Sequence, residues 1–200
     1  MSQLDEILRE ESLMKEAFNN HETLVKLTYD TCGSTILRVA SYMIDALENG
    51  HKVLFMGNGG SAADAQHLAA ELVGRFTRER KGLASVALTT DTSILTAIAN
   101  DYGYNQVFSR QVEALAQKGD VVVGISTSGN SPNILKAMEV ASEKGCILIG
   151  FTGGKGGKLY ENTDLCITVP SLTTARIQEM HILIGHVICD IVEDYFSKKE

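Results

Sequence analysis

Two stretches decide how this chain folds: Lys52-Val-Leu-Phe-Met-Gly-Asn-Gly-Gly-Ser61 and Asp120-Val-Val-Val-Gly-Ile-Ser-Thr-Ser-Gly-Asn-Ser131. Each is a short apolar run with no polar alternation, followed by a turn of glycines and hydroxyls that opens a helix. An unbroken apolar run is the pattern of a strand covered on both faces, as in a parallel sheet. Outward from these two, the same grammar repeats. Ser85–Leu88, Cys146–Phe151 and Asp164–Val169 read as further strands. Helices are predicted from about Ala62 to Arg78, from an Asp91 cap through Ala99, and from Val107 to Ala116. Another follows Ser131 as cap, with Pro132 in the favoured first helical position. Gly153-Gly-Lys-Gly-Gly157 reads as a mobile loop, and a long helix is predicted from about Thr174 to Phe196. The first fifty residues are helical in spacing: Leu4, Ile7, Leu8, Leu24 and Leu27, then a stripe from Ile36 to Leu47 that ends at Gly50. Strands alternating with helices give an α/β fold. It is a doubly wound parallel sheet of about five strands flanked by helices, flavodoxin-like, with an N-terminal helical extension. Residues 1–200 form a single domain, of which 1–50 is a helical arm.

Composition narrows the function classes. Eighteen Lys plus Arg against 25 Asp plus Glu give a net charge of −7, which argues against nucleic acid or an anionic membrane as the main partner. A hydrophobic content of 44% and only two prolines fit a packed core and exclude a disordered chain. No apolar run reaches the roughly 18 residues a membrane span requires, and the charged start of the chain has no signal-peptide character. The expected location is therefore cytoplasmic. Cys32, Cys146, Cys166 and Cys189 are scattered without a C-x-x-C pair and read as reduced thiols, none a nucleophile.

In doubly wound sheets, ligands bind beyond the carboxyl ends of the strands. The Gly57–Ser61 turn lets a backbone approach closely and aims helix-start amides at an anion, while Ser126–Ser131 adds four hydroxyls. Together they are a phosphate cradle in chemical type, needing no cation. Either turn alone also serves as an ordinary strand-to-helix connection. Neither matches the G-x-x-x-x-G-K-[ST] nucleotide loop or a dinucleotide fingerprint. On the following helix His67 and Glu71 are four residues apart, within about 40° on one face. Gln178, His181 and His186 punctuate an apolar helix near the end, with Gln178 and His186 about 80° apart. A His-x-x-x-Glu pair is also common on exposed faces, and His181 reads as a core histidine. If His67, Glu71, Gln178 and His186 met, they would suit a zinc ion or, through the carboxylate and a histidine, an acid–base pair. Helix arithmetic does not say that they meet.

Five segments in order carry a resemblance that covers nearly the whole chain. They are Gly57–Ser61, His67-Leu-Ala-Ala-Glu-Leu-Val-Gly-Arg-Phe76, Ala99-Asn-Asp101, Gly124–Ser131 and Arg176-Ile-Gln-Glu-Met-His181. With them the chain resembles the phosphoheptose isomerases of the sugar isomerase (SIS) family. The resemblance implies a homotetramer with active sites shared between subunits. It also implies isomerisation of sedoheptulose 7-phosphate to D-glycero-D-manno-heptose 7-phosphate. That reaction opens the route to the nucleotide-activated heptoses of lipopolysaccharide core and other surface glycans. Carried over by position, Ser61, Ser126, Thr127, Ser128 and Ser131 would hold the phosphate. Asn58, Gly59, Gly60, Glu71, Asn100, Asp101 and Gln178 would contact the sugar. His67, Glu71, Gln178 and His186 would hold one Zn²⁺ per subunit, with Glu71 and His186 as the catalytic pair. Ala175 departs from relatives that have Asp there. A non-catalytic SIS-family protein that binds the replication initiator is the alternative. It shares the loops but lacks the residues matching Glu71 and His186.

Overall fold

A computed structural model describes residues 3–199. Its five strands are β1 (Val53–Gly57), β2 (Ser85–Ala87), β3 (Val121–Ile125), β4 (Ile147–Gly153) and β5 (Leu165–Val169). All neighbours are parallel, in the order β2-β1-β3-β4-β5. The helices are α1 (Gln3–Glu48), α2 (Gly60–Val73), α3 (Thr92–Tyr102), α4 (Ser109–Leu115), α5 (Pro132–Glu143), α6 (Gly157–Glu161) and α7 (Thr174–Ser197). This is the predicted doubly wound architecture.

Strand periodicity divides the core in two. Val53, Phe55, Val121 and Val123 face a cluster with Val39 and Met43 of α1, Leu68 of α2 and Ile184 of α7. Their neighbours Leu54, Met56 and Val122 face the opposite cluster, with Val112 of α4 and Ile134 and Met138 of α5. Because successive side chains point to opposite faces, a strand buried on both sides must be apolar at every position, and β1 and β3 are. Each such side chain taken from water contributes roughly 1.5–3 kcal/mol.

Several boundaries differ from the expectation. Helix α2 stops at Val73 instead of continuing to Arg78. The amides of Phe76, Thr77 and Arg78, which further helical turns would have used, donate instead to the Glu193 carboxylate of α7. The helix predicted over 107–116 is the shorter α4, Ser109–Leu115, and a 3₁₀ turn at Tyr104–Gln106 precedes it. Helix α3 is capped by Asp91, which accepts from the Ile94 amide, and it runs past Ala99 to Tyr102. Ser131 occupies the cap position of α5 but its hydroxyl bonds Ser126 instead. Gly157 of the predicted glycine loop already begins α6.

Helix α1 is continuous over 46 residues, about 69 Å at 1.5 Å per residue. Its second half is seated on the sheet through Cys32, Ile36, Val39 and Met43, whereas Leu4, Ile7, Leu8, Leu13, Met14 and Phe18 are each more than half exposed. Among the described residues no helix is long and apolar enough to cross a membrane.

Candidate active site

Helix α2 leaves β1 toward the α1/α7 face, and α5 leaves the adjacent β3 toward the other. Where neighbouring strands send their helices to opposite faces, a crevice opens above their carboxyl ends. Both loops singled out in the sequence border it.

The 126–131 loop is a bonded array of hydroxyls. Ser126 Oγ lies 2.9 Å from Ser131 Oγ and 3.4 Å from Ser128 Oγ. The Asn130 amide donates to Ser128 Oγ, and Asn130 Oδ1 accepts from the Lys158 amide at the start of α6. Thr127, Ser128 and Lys155 line one cleft, so a cation stands beside the hydroxyls that the sequence reading treated as sufficient. In the first loop Ser61 is buried, and its amide donates to the Asn58 carbonyl. The Asn58 side chain exchanges two hydrogen bonds with buried Asn133, at 3.0 and 2.8 Å, and accepts a third from the Tyr104 hydroxyl. The Ile134 amide donates to Asn133 Oδ1, which fixes which way both amides point. One Asn58 N–H is left to meet a ligand, as a donor.

On α2, Asp64, His67 and Glu71 follow at i, i+3 and i+7 and share a face. His67 Nε2 is 3.2 Å from Glu71 Oε1 and 2.8 Å from His186 Nε2 on α7. One ligand atom from each of His67, Glu71 and His186 lies within 4.8 Å of the others, the one such group among the described residues. A tetrahedral zinc ion with bonds of about 2.0–2.1 Å sets two ligating nitrogens about 3.3 Å apart, a few tenths of an ångström from the spacing of these imidazoles. Two neutral imidazoles and a carboxylate fit zinc chemically as well. Gln178 donates through Nε2 to both carboxylate oxygens of Asp64, at 2.7 and 2.9 Å. That bond commits the amide nitrogen and leaves the carbonyl oxygen as the atom able to serve as a ligand. Burial pushes the Asp64 carboxyl above its ordinary range, while the Gln178 bond and the charges of His67 and His186 pull the other way.

Asn100 and Asp101 are exposed in the last turn of α3 and bond one another at 2.7 Å. Gly59 and Gly60 are exposed at the start of α2. His181 is the core residue the sequence suggested: fully buried, with Nε2 3.0 Å from the Thr152 carbonyl. All four cysteines are free, and burial pushes Cys189 up to about 12, with the Glu71 charge adding to it.

The family profile described as SIS domain matches residues 18–153. The phosphoheptose isomerase of Aliarcobacter butzleri is 54% identical over 186 residues, spanning 93% of this chain and 98% of that relative. The chain belongs to the phosphoheptose isomerase family. The Geobacter sulfurreducens phosphoheptose isomerase is 62% identical over 159 residues, 78% of this chain and 84% of that one. The solved structure of the Neisseria gonorrhoeae phosphoheptose isomerase superposes with a TM-score of 0.88 at 45% identity, covering 92% of this chain and 98% of that chain.

Set in the phosphoheptose isomerase family, this chain brings against the candidate site side chains four residues to which sequence reasoning gave no role. Asp64 had a signal, since it lies on the His67–Glu71 face three residues upstream. Asn133 and Tyr104 had none, because their partner Asn58 is distant in sequence. Phe76, whose ring centroid is 5.4 Å from that of His186, was read as lying inside a helix running to Arg78, which in fact stops at Val73.

Proposed function

We propose that this protein is an aldose–ketose isomerase that converts sedoheptulose 7-phosphate to D-glycero-D-manno-heptose 7-phosphate, a precursor of the nucleotide-activated heptoses of surface glycans. The observation that carries the reading is the meeting of His67 and Glu71 on α2 with His186 on α7, in a molecule whose β3 loop presents an array of hydroxyls. A base beside a second proton carrier and an anion cradle are what isomerisation of a sugar phosphate requires. The initiator-binding alternative is not favoured, because the two residues its members lack stand side by side here.

In this mechanism Ser126, Thr127, Ser128, Ser131 and Ser61 hold the phosphate. Asn58, the amides of Gly59 and Gly60, and Gln178 orient the sugar oxygens. Asn100 and Asp101 join them on the strength of the family resemblance. Glu71 Oε takes the C1 proton of the open-chain ketose, leaving an enediolate whose C2 oxygen becomes the enediol hydroxyl on taking up a proton. His186 assists proton delivery at C2 or between the two oxygens. His67 restrains the Glu71 carboxylate by its 3.2 Å contact. His67, Glu71, His186 and the Gln178 carbonyl are the proposed holders of one zinc ion per subunit, which when bound supplies Lewis-acid polarisation of the carbonyl.

The unit 1–200 acts as a single domain, with residues 1–50 an arm used in assembling a homotetramer with shared active sites. Supporting this are the unpacked apolar residues of the first half of α1 and an apolar groove between α1 and α7 lined by Tyr29, Leu37, Leu183 and Val187. Light scattering should return the mass of four chains. The free, mostly buried cysteines fit a reducing cytoplasm.

The purified protein incubated with sedoheptulose 7-phosphate should form the aldose, and Glu71→Gln should reduce kcat by on the order of a hundredfold or more while the protein stays folded. Near-normal turnover by that variant would remove Glu71 as the base. Chelation followed by zinc restoration tests the metal separately.

A further inference from the structure

Seven residues beyond His186, on the same face of α7, lies a carboxylate with no exposed surface, Glu193. Its Oε1 accepts from the Phe76 amide at 2.6 Å, and its Oε2 accepts from the amides of Thr77 and Arg78 at 2.6 and 2.7 Å and from the Thr77 hydroxyl at 3.2 Å. Buried Arg80 completes the arrangement, with Nη2 3.7 Å from Glu193 Oε1. The same guanidinium donates to the carbonyls of Glu71, at 2.7 Å, and Gly74, at 2.7 Å, which are at the end of α2. One buried ion pair thus ties three things together: the last turn of the helix that carries Glu71, the 74–80 segment, and the helix that carries His186.

The segment so held sets the Phe76 ring 5.4 Å from the His186 ring, tilted by 33°, while His67 packs on His186 edge-on at 5.0 Å. His186 is therefore bounded by Phe76 and His67. Burial alone would raise the Glu193 carboxyl, but the three amides and the Thr77 hydroxyl hold it below its ordinary range, so it is an anion where it sits. Removing one partner of a buried, hydrogen-bonded pair disrupts more than the pair, since the other charge is left without compensation.

We propose that Glu193, acting with Arg80 through the 74–80 segment, is a positioning residue for the isomerisation: it clamps Phe76 against His186 and fixes α2 relative to α7, so that Glu71 and His186 keep their working geometry. It touches neither substrate nor reacting atoms. The kinetic part rests on the isomerase reading above. The packing part does not.

The test uses the full chain in its native assembly, with Glu193→Gln and Phe76→Leu singly and together. An amide in place of the carboxylate turns an NH₂ group toward backbone donors, so the segment should swing away. The ring-current shift of the His186 Cε1–H resonance should then be lost while the rest of the spectrum stays folded. Each single variant should lower kcat on the order of tenfold to a hundredfold, with KM for sedoheptulose 7-phosphate within about twofold, because the hydroxyl loop after β3 is untouched. The double variant should be no worse than the poorer single one. Losses that multiply, or a retained ring-current shift in Glu193→Gln, overturn the proposal. So does unchanged kcat in Phe76→Leu, which leaves every Glu193 bond in place and decides the matter even if Glu193→Gln does not fold. A wild-type protein inactive on this substrate would defeat the functional reading, and the His186 resonance would still decide whether Glu193 holds Phe76 in place.

Discussion

Acidification from about pH 7.5 to about pH 4.5 should weaken the folded state by about 2.5 kcal/mol through one buried ring, His181. The imidazole has no exposed surface, Nε2–H donates to the Thr152 carbonyl, and Nδ1 has no partner among the described residues. A second proton would have to sit on Nδ1, facing no acceptor in an apolar surround. Burial accordingly pulls His181 from 6.5 down to about 4, with the Thr152 bond opposing it weakly. The sign follows from linkage. The unfolded chain binds the proton first as pH falls, so this stability is fully present above about 6.5 and is lost on the way down toward 4. Near pH 4.5 the unfolded imidazole is almost wholly charged and the folded one mostly neutral. That is a little under two pK units, each about 1.36 kcal/mol. Carboxylates titrate in the same window, so the comparison is with His181→Gln, which keeps an N–H for Thr152 and does not titrate. Urea unfolding at fixed protein concentration, at both pH values, should show the wild type losing about 2.5 kcal/mol more than the variant. A difference below about 0.5 kcal/mol would refute the burial argument.

Three further outcomes follow from close contacts and from the site. A Cβ on Gly185 would stand 2.4 Å from Leu68 Cδ2, so Gly185→Ala should push α2 from α7, lower stability by about 1–3 kcal/mol in thermal melts and reduce kcat through the neighbouring His186. Gly129 has φ +65° and its Cβ would stand 1.9 Å from the Gly156 carbonyl. Gly129→Ala should therefore distort the hydroxyl loop, raising KM for the sugar phosphate more than it lowers kcat. At the proposed zinc site, Asp64→Asn should lower affinity about 10–100-fold in a competition titration of added zinc with a chromophoric chelator, because the Gln178 amide loses its orienting anion.

The order of elements, the class of sheet and the two glycine-hydroxyl loops after β1 and β3 were legible in the chain because they rest on local patterns. Unbroken apolar runs at Val53–Gly57 and Val121–Ile125 admit few alternatives to buried parallel strands, and a glycine-hydroxyl turn before a helix has a recognisable chemistry. The His67–Glu71 pair was equally readable, since spacing on one helix fixes which side chains share a face. The meeting of α2 with α7 was not. Residues 67 and 186 are 119 positions apart, and the 2.8 Å between their Nε2 atoms depends on Leu68 nesting over Gly185 and on helix ends tied through Arg80 and Glu193. The same long-range carboxylate ended α2 five residues earlier than its own sequence suggested, by capturing the amides a further turn would have bonded. Local propensity sets what each segment favours. Where a buried anion offers three backbone donors a better partner than their own helix, only the packed tertiary structure decides.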